Sequence, residues 1–435
     1  MKRIPSLLLL PALLPFPASA AMLRGETTRP PVSYRTGEPI EMRFTMQDAA
    51  PDGARLRWTV EKDGESEPTS GIAHVAPDGA LVLTNAMDRP GFLRATATLV
   101  DADGHPLRAG GRPVSFTLGA GADVSALRNL PEPEDFDAFW AEAKREADAA
   151  DLAAAEVRDA PAPFRGKDRA FMVRTFRVPL GADAAPATGW IVAPGATPEG
   201  GLPIRVDFCD YGMGGQKPEP WMHDKEAIRL LVNAHGFEPG RDAAYYRDFM
   251  YRVSNGGNRG GYGFRNAEND DPRTCYFRGM VVRDLAALRL ARSLPGWNGK
   301  DLTLAGRGQG GFQAVAVAAL DGGVSSCEIE APWLCDLGAE QELGAAAGWR
   351  PAYRPALRYF DAANFAKRVR CPVDVARCGL ADTTSPPSGV SVLYNQLAGP
   401  KAIRYVQDSR LQDGGPAPDG AQTQRLSSGK IEERP

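Results

Sequence analysis

The chain is 435 residues long, 43% apolar and 24% charged, the composition of an ordinary globular protein of two or three domains. Lys and Arg number 51 against 54 Asp and Glu, a formal net charge of −3, so no basic stripe points to a nucleic acid and no acidic block to a solvated tail. Four histidines, none after His235, and the absence of any CxxC pair leave no compact zinc pattern.

The N-terminus reads as a secretory signal peptide over residues 1–20. Lys2 and Arg3 supply the positive start, Leu7, Leu8, Leu9, Leu10, Leu13, Leu14 and Phe16 the apolar stretch, and Ala18-Ser19-Ala20 the small-residue cleavage site. Pro5, Pro11, Pro15 and Pro17 spoil a long helix and the apolar stretch is too short to span a bilayer. The expectation is a secreted or periplasmic protein with no membrane span after cleavage. Its six cysteines (Cys209, Cys275, Cys327, Cys335, Cys371 and Cys378) lie mostly in apolar runs of a large domain, which predicts buried free thiols for most of them.

Residues 21–120 read as β structure. Ile40, Met42, Phe44 and Met46 alternate with polar residues, as do Leu56, Trp58 and Val60, and then Leu93, Ala95, Ala97 and Leu99; one buried face per strand follows from period two. Turn sequences such as Pro51-Asp52-Gly53, Asp63-Gly64, Pro77-Asp78-Gly79 and Asp103-Gly104 separate the runs. The spacing predicts an immunoglobulin-like β-sandwich without an inter-sheet disulfide, a spacer or docking module with no evident aromatic platform for a glycan. The small residues 119–122 mark its end.

From 125 to 411 the chain predicts an α/β domain. Phe136, Phe139, Trp140, Ala143 and Ala147 share one helical face. Strand-like runs follow at 171–178, 190–192, 202–208, 302–305, 326–330, 373–376 and 403–406, and helical runs at 226–231, 281–290, 312–320 and 390–397. Such alternation implies a mostly parallel sheet with helices on both faces and chemistry in the loops beyond the carboxyl ends of the strands. Residues 412–435, rich in Gly, Pro, Ser and Gln, predict a flexible tail.

The most informative segment is Leu302-Thr303-Leu304-Ala305-Gly306-Arg307-Gly308-Gln309-Gly310-Gly311-Phe312, an apolar strand, a glycine turn and an alanine-rich helix. The turn G-x-S-x-G holds a nucleophile at a strained backbone position in α/β-hydrolases. Here the flanking Gly306 and Gly310 are present and the middle residue is Gly308. The same residues also spell Gly306-x-Gly308-x-x-Gly311, a dinucleotide fingerprint, with Glu328 and Glu330 about twenty residues on, where a ribose-binding acid is expected. A second glycine-rich run, 256–263, lacks the Lys-Ser or Lys-Thr ending of a phosphate loop.

In this region the sequence resembles the acetyl xylan esterase family, which includes the cephalosporin-type deacetylases. The resemblance runs from about residue 130 to 407. It rests on Phe136-Asp137-Ala138-Phe139-Trp140, Asn233-Ala234-His235-Gly236, Tyr276-Phe277-Arg278-Gly279-Met280, Gly306-Arg307-Gly308-Gln309-Gly310-Gly311, Arg358-Tyr359-Phe360-Asp361, Asn364-Phe365-Ala366 and Gly379-Leu380-Ala381-Asp382-Thr383-Thr384-Ser385-Pro386-Pro387. It implies an α/β-hydrolase fold that removes acetyl groups from sugars with a Ser-Asp-His triad and no cofactor. Asp382 stands where the family keeps the triad acid and Gly308 where it keeps the nucleophile. The loop after a strand at Phe208-Cys209-Asp210-Tyr211-Gly212 and the residue Gln309 stand where the oxyanion-hole amides are placed, Tyr211 supplying the first. The histidine is due about thirty residues after the acid, and Gln407, Asp408, Ser409, Arg410 and Leu411 occupy that stretch. The resemblance therefore implies a catalytically inactive homologue that binds an acetylated plant or host glycan or a partner. An active esterase with another nucleophile or base and a dinucleotide-binding protein stand as alternatives.

Overall fold

The computed structural model describes residues 23–76, 79–164, 170–181, 184–254, 266–339, 350–413 and 420–428. The predicted signal peptide, the run 256–263 and parts of the 412–435 segment lie outside them. No helix among the described residues is long and apolar enough to cross a membrane.

The N-terminal unit is a two-sheet β-sandwich. Its strands are β1 (Leu23–Thr27), β2 (Ile40–Met46), β3 (Arg55–Lys62), β4 (Thr69–His74), β5 (Ala80–Asn85), β6 (Gly91–Val100), the short pair β7 (Arg108–Ala109) and β8 (Arg112–Pro113), and β9 (Ser115–Ala122). One sheet has the order β1-β2-β5 and the other β4-β3-β6-β9, all antiparallel. The alternating residues meet between them: Ile40, Met42 and Phe44 of β2 face Leu56, Val60, Leu93, Ala95, Ala97 and Leu99 of β3 and β6 in one core. The small residues 119–122, expected to mark the end of the sandwich, form the second half of β9. Gly119 is where the strand abuts the other domain, since a Cβ on it would lie 2.7 Å from the Leu380 carbonyl oxygen, whereas Ala120 and Ala122 are buried in the sandwich's own core.

The second unit carries α1 (Phe136–Asp148), β10 (Glu156–Asp159), β11 (Phe171–Val178), β12 (Ala187–Pro194), β13 (Leu202–Phe208), β14 (Ile228–Val232), α2 (Ala243–Val253), α3 (Tyr276–Arg292), β15 (Trp297–Arg307), α4 (Gln309–Leu320), β16 (Ser326–Glu330), α5 (Ala362–Ala366), β17 (Val373–Gly379), α6 (Pro387–Gln396), β18 (Lys401–Val406) and β19 (Thr423–Ser428). Its ten strands form one mixed sheet in the order β10-β11-β12-β14-β13-β15-β16-β17-β18-β19. The pairs from β14 to β18 are parallel; β10 to β14 and the last pair, β18 with β19, are antiparallel.

Three expectations change here. The run 226–231 is not a helix: Ile228–Val232 is the interior strand β14, four of whose five residues are buried. A short apolar run cannot be told from a helix segment by period alone, and its place between β12 and β13 decides the matter. Second, α1, α3, α4, α5 and α6 all pack against the same face of the sheet. Ile204, Val206, Phe208, Leu304, Cys327, Ile329 and Val375 enter one core with α1, α3, α4, α5 and α6. Their alternates form ion pairs on the opposite face: Arg205 with Glu328 at 2.5 Å, Arg377 with Glu330 at 2.9 Å and Arg425 with Asp374 at 3.4 Å. Only the β11, β12 and β14 end of that face is covered with apolar residues, by Met222, Phe164 and their neighbours. Third, the 412–435 segment is not a flexible tail throughout, because Thr423–Ser428 pairs along the whole of β18. Its alternate residues Gln422 and Gln424 bond the Thr27 and Val32 amides of the sandwich.

The predicted face of α1 is buried as expected, with the Trp140 indole N–H donating to the Tyr359 carbonyl at 3.0 Å. All six cysteines are free, five of them buried.

Candidate active site

β15 delivers the chain to the centre of the sheet's carboxyl edge, where it turns at once into α4. Gly308 sits at the turn with φ 55° and ψ −120°, a region that costs a side-chain-bearing residue of the order of 1–3 kcal/mol. The glycine two residues further on is required by close approach, since a Cβ on Gly310 would lie 2.9 Å from the Phe208 carbonyl carbon. Hydrogen bonds fix the turn from three sides: Gly308 N donates to the Glu330 carbonyl at 3.0 Å, and the Phe312 and Trp333 amides donate to the Gly308 carbonyl.

The loop after β13 brings Asp210 against this turn. Its Oδ1 accepts from the Tyr211 amide at 2.7 Å and from the Gln309 amide at 3.0 Å. Those are the two backbone donors that the sequence nominated as an oxyanion hole, and both point at one carboxylate oxygen. A Cβ built on Gly308 would lie 2.8 Å from the Asp210 carboxyl carbon, so the carboxylate stands in the space a side chain at 308 would fill. The start of α4 favours an anion there through its free amides and dipole. Burial pushes the Asp210 pKa upward, while the two amides and the Arg307 charge pull it back. Asp210 was not evident from the sequence. The available sign was an acidic residue next to a nominated amide at the end of an apolar strand.

Asp382 follows β17 and is buried. Its Oδ1 accepts from the amides of Thr384 at 2.8 Å and Ser385 at 2.9 Å, and its Oδ2 from the Leu411 amide at 2.5 Å. Burial raises its pKa and these three amides oppose the rise. Leu411 is 29 residues after the acid, where the resemblance put a histidine. The loop that carries it is held from the sandwich side: Gln407 bonds Gly119, and Asp408, at φ 50°, bonds Thr117 through both its amide and its carboxylate.

Tyr211, Gln309, Leu411 and Asp210 line one cavity of about 370 Å³, together with Arg307 and Trp333. Asp382 lies behind Leu411. The nominated positions are thus brought together, apart from the side chain that position 308 lacks.

None of the four histidines hydrogen-bonds Asp382 in the described structure. His235 is buried; its Nε2 donates to the Gly212 carbonyl at 3.1 Å and its Nδ1 meets the Tyr276 hydroxyl. Burial, with the nearby Arg283 charge, takes its pKa down to about 4, so the ring is neutral and braces the loop that carries Tyr211. His223 Nδ1 meets the Pro220 carbonyl at 3.3 Å. Among the described residues one cluster of three side chains could hold a metal, Asp101, Asp103 and His105. It lies on a sandwich turn between β6 and β7, away from the cavity.

The dinucleotide alternative fails on two counts. The anion-binding start of α4 is already occupied by the Asp210 carboxylate, which repels a phosphate. The proposed ribose acids Glu328 and Glu330 are paired with Arg205 and Arg377.

The model of the acetyl xylan esterase family, AXE1, matches residues 127–348 and 352–425. The acetyl esterase Axe7A of Xylanibacter ruminicola is 25% identical over 390 residues, which cover 85% of this chain and 82% of that protein. Among solved structures, an acetyl xylan esterase from a Paenibacillus species superposes with a TM-score of 0.52 at 24% identity, over 66% of this chain and 92% of the other. Acetyl xylan esterase 1 from a Thermoanaerobacterium species gives 0.51 at 20% identity, with the same coverage. These two likenesses establish the shared α/β-hydrolase fold. With the family model spanning well over half its length, through the glycine turn and the Asp382 loop, this chain belongs to the acetyl xylan esterase family.

Proposed function

We propose that this chain is an exported, non-hydrolytic member of its family, one that keeps the active-site cavity as a binding site for a glycan of the kind such esterases deacetylate. The observation that carries this reading is the Asp210 carboxylate lying across Gly308 and taking both nominated oxyanion donors. Acyl transfer needs an attacking oxygen or sulfur, a base for its proton, and donors for the negative oxygen that develops. Position 308 supplies no attacking atom, Leu411 supplies no base to Asp382, and the donors already hold an anion. Removing a single triad member leaves only the modest catalysis of binding and the oxyanion hole. Here the oxyanion hole is taken as well.

Residues 1–20 support export, and the sandwich, which we read as immunoglobulin-like, serves as a spacer that braces the 407–411 loop. The decisive experiment measures acetate released from acetylated xylan, beside retention on immobilised xylan. Retention without acetate release is the expected outcome. Acetate release that survives substitution of trace contaminants by repeated purification would overturn the reading in favour of an active esterase with another nucleophile.

A further inference from the structure

Resting on that carbohydrate-binding reading, we propose that Asp210 is a specificity-determining residue: by occupying the amide pair itself, it makes the cavity select a sugar with a free hydroxyl over the same sugar carrying an acetyl ester.

The polar groups left for a ligand carry this. An ester carbonyl oxygen only accepts hydrogen bonds. In a site whose Tyr211 and Gln309 amides were free it would find two donors; here both are spent on Asp210 Oδ1 at 2.7 and 3.0 Å. The carbonyl would instead approach a carboxylate and be repelled. What the residues lining the cavity leave unused is one acceptor and one donor. Asp210 borders the cavity, and its Oδ2 makes no hydrogen bond within the described structure. Gln309 lines the same cavity, is 3% exposed, and its side-chain Nε2 is buried without a hydrogen-bond partner. A buried amide nitrogen left without a partner is costly, so it marks a place where a ligand atom belongs. A hydroxyl is the group that satisfies both, donating its proton to Asp210 Oδ2 and accepting from Gln309 Nε2. Acetylating that hydroxyl removes the proton and leaves only acceptors, which can meet Gln309 Nε2 but place an oxygen against Asp210 Oδ2 with nothing to donate. Asp382 does not compete for the ligand, since its carboxylate oxygens are met by the Thr384, Ser385 and Leu411 amides. The cavity volume of about 370 Å³ suits a single sugar ring, with Trp333 and Tyr211 as its apolar walls.

Calorimetric titration of the full chain with xylotetraose and with its O-acetylated counterpart tests the inference. The unacetylated sugar should bind about ten-fold more tightly. Asp210→Asn keeps the shape and still offers an oxygen to the two amides, but turns the ligand-facing acceptor into a donor. It should weaken xylotetraose about ten-fold and shrink or invert the preference. Equal or tighter binding of the acetylated sugar to the unaltered chain, or an unchanged preference in Asp210→Asn, overturns the inference. A separate arm uses sodium acetate and saturation-transfer NMR. Asp210→Gly, with the amide pair opened, should bind acetate where the unaltered chain does not; equal acetate binding by both would refute occupancy by Asp210. If neither sugar binds while the acetate arm comes out as expected, the carbohydrate reading falls and the occupancy by Asp210 stands.

Discussion

Gly119 and Gln407, 288 residues apart, pair through both ends of an amide: the Gly119 N–H donates to Gln407 Oε1 at 2.8 Å, and Gln407 Nε2 donates back to the Gly119 carbonyl at 2.8 Å. A buried side chain thereby acts as one more peptide unit on the edge of β9. The next residue repeats the pattern with its amide and its carboxylate, the Asp408 N–H donating to the Thr117 carbonyl and the Thr117 N–H donating to Asp408 Oδ1. The sandwich therefore grips the start of the loop that brings Leu411 to Asp382.

Truncating Gln407 to Ala should cost about 2–3 kcal/mol, because a buried N–H and C=O on Gly119 both lose their partner. Urea denaturation of the variant beside the unaltered chain measures it. A change below about half a kcal/mol would mean that water replaces the amide there.

Gly308→Ser should restore no hydrolysis and should lower stability by about 1–3 kcal/mol. The added carbon meets the Asp210 carboxylate at a backbone angle that suits glycine. Acetate release and a denaturation curve on the same preparation check both halves, and measurable ester turnover by this single variant would defeat the expectation.

The combination Asp210→Gly, Gly308→Ser and Leu411→His should be qualitatively different. It clears the amide pair, supplies the hydroxyl, and places an imidazole on the residue whose amide already touches Asp382 at 2.5 Å. Hydrolysis of a chromogenic acetyl ester should exceed that of Gly308→Ser by about a hundred-fold, since the parts of a triad act as a unit. No gain over the single variant would show that Leu411 does not stand at the histidine position.

His235 gives a pH dependence with a defined sign. Its pKa falls from 6.5 to about 4 on folding, so between those values the unfolded chain binds a proton that the folded chain does not. The stability it contributes is complete above pH 6.5 and is lost as the pH falls towards 4, amounting to roughly 3 kcal/mol. His235→Gln should flatten the fall in stability over that window, read as the difference between the two chains' denaturation midpoints at pH 7 and pH 4.5. Parallel curves would show that the ring titrates normally.

Much of the sheet could be read from period-two alternation, and the glycine turn from its spacing, because both follow from local geometry. Two local signs pointed away from helices over the β13–β16 part of the second face. A parallel strand covered on both sides reads as a continuous apolar run, whereas Arg205 and Asp207 interrupt β13 and Glu328 and Glu330 interrupt β16. The strands β14 and β19 escaped because partners distant in sequence, not local pattern, make them strands. At the site, Gly308, Gln309, Tyr211 and Asp382 were legible as positions in a resemblance. Asp210 was not, since nothing near it in sequence says that its carboxylate bonds an amide 99 residues away.

The ion pairs on the face opposite the main helices also fix which strand goes where. Arg205 on β13 reaches Glu328 on β16 across β15, whose Thr303 and Ala305 are small enough to let it pass. Arg377 and Glu330 stand opposite one another in the β16–β17 ladder. Slipping any of these strands by one residue would drive an arginine or glutamate into the apolar core beneath the helices. A sheet of ten strands has many wrong alignments open to it, and charges that are worth little to the stability of the finished protein make nearly all of them untenable while it forms.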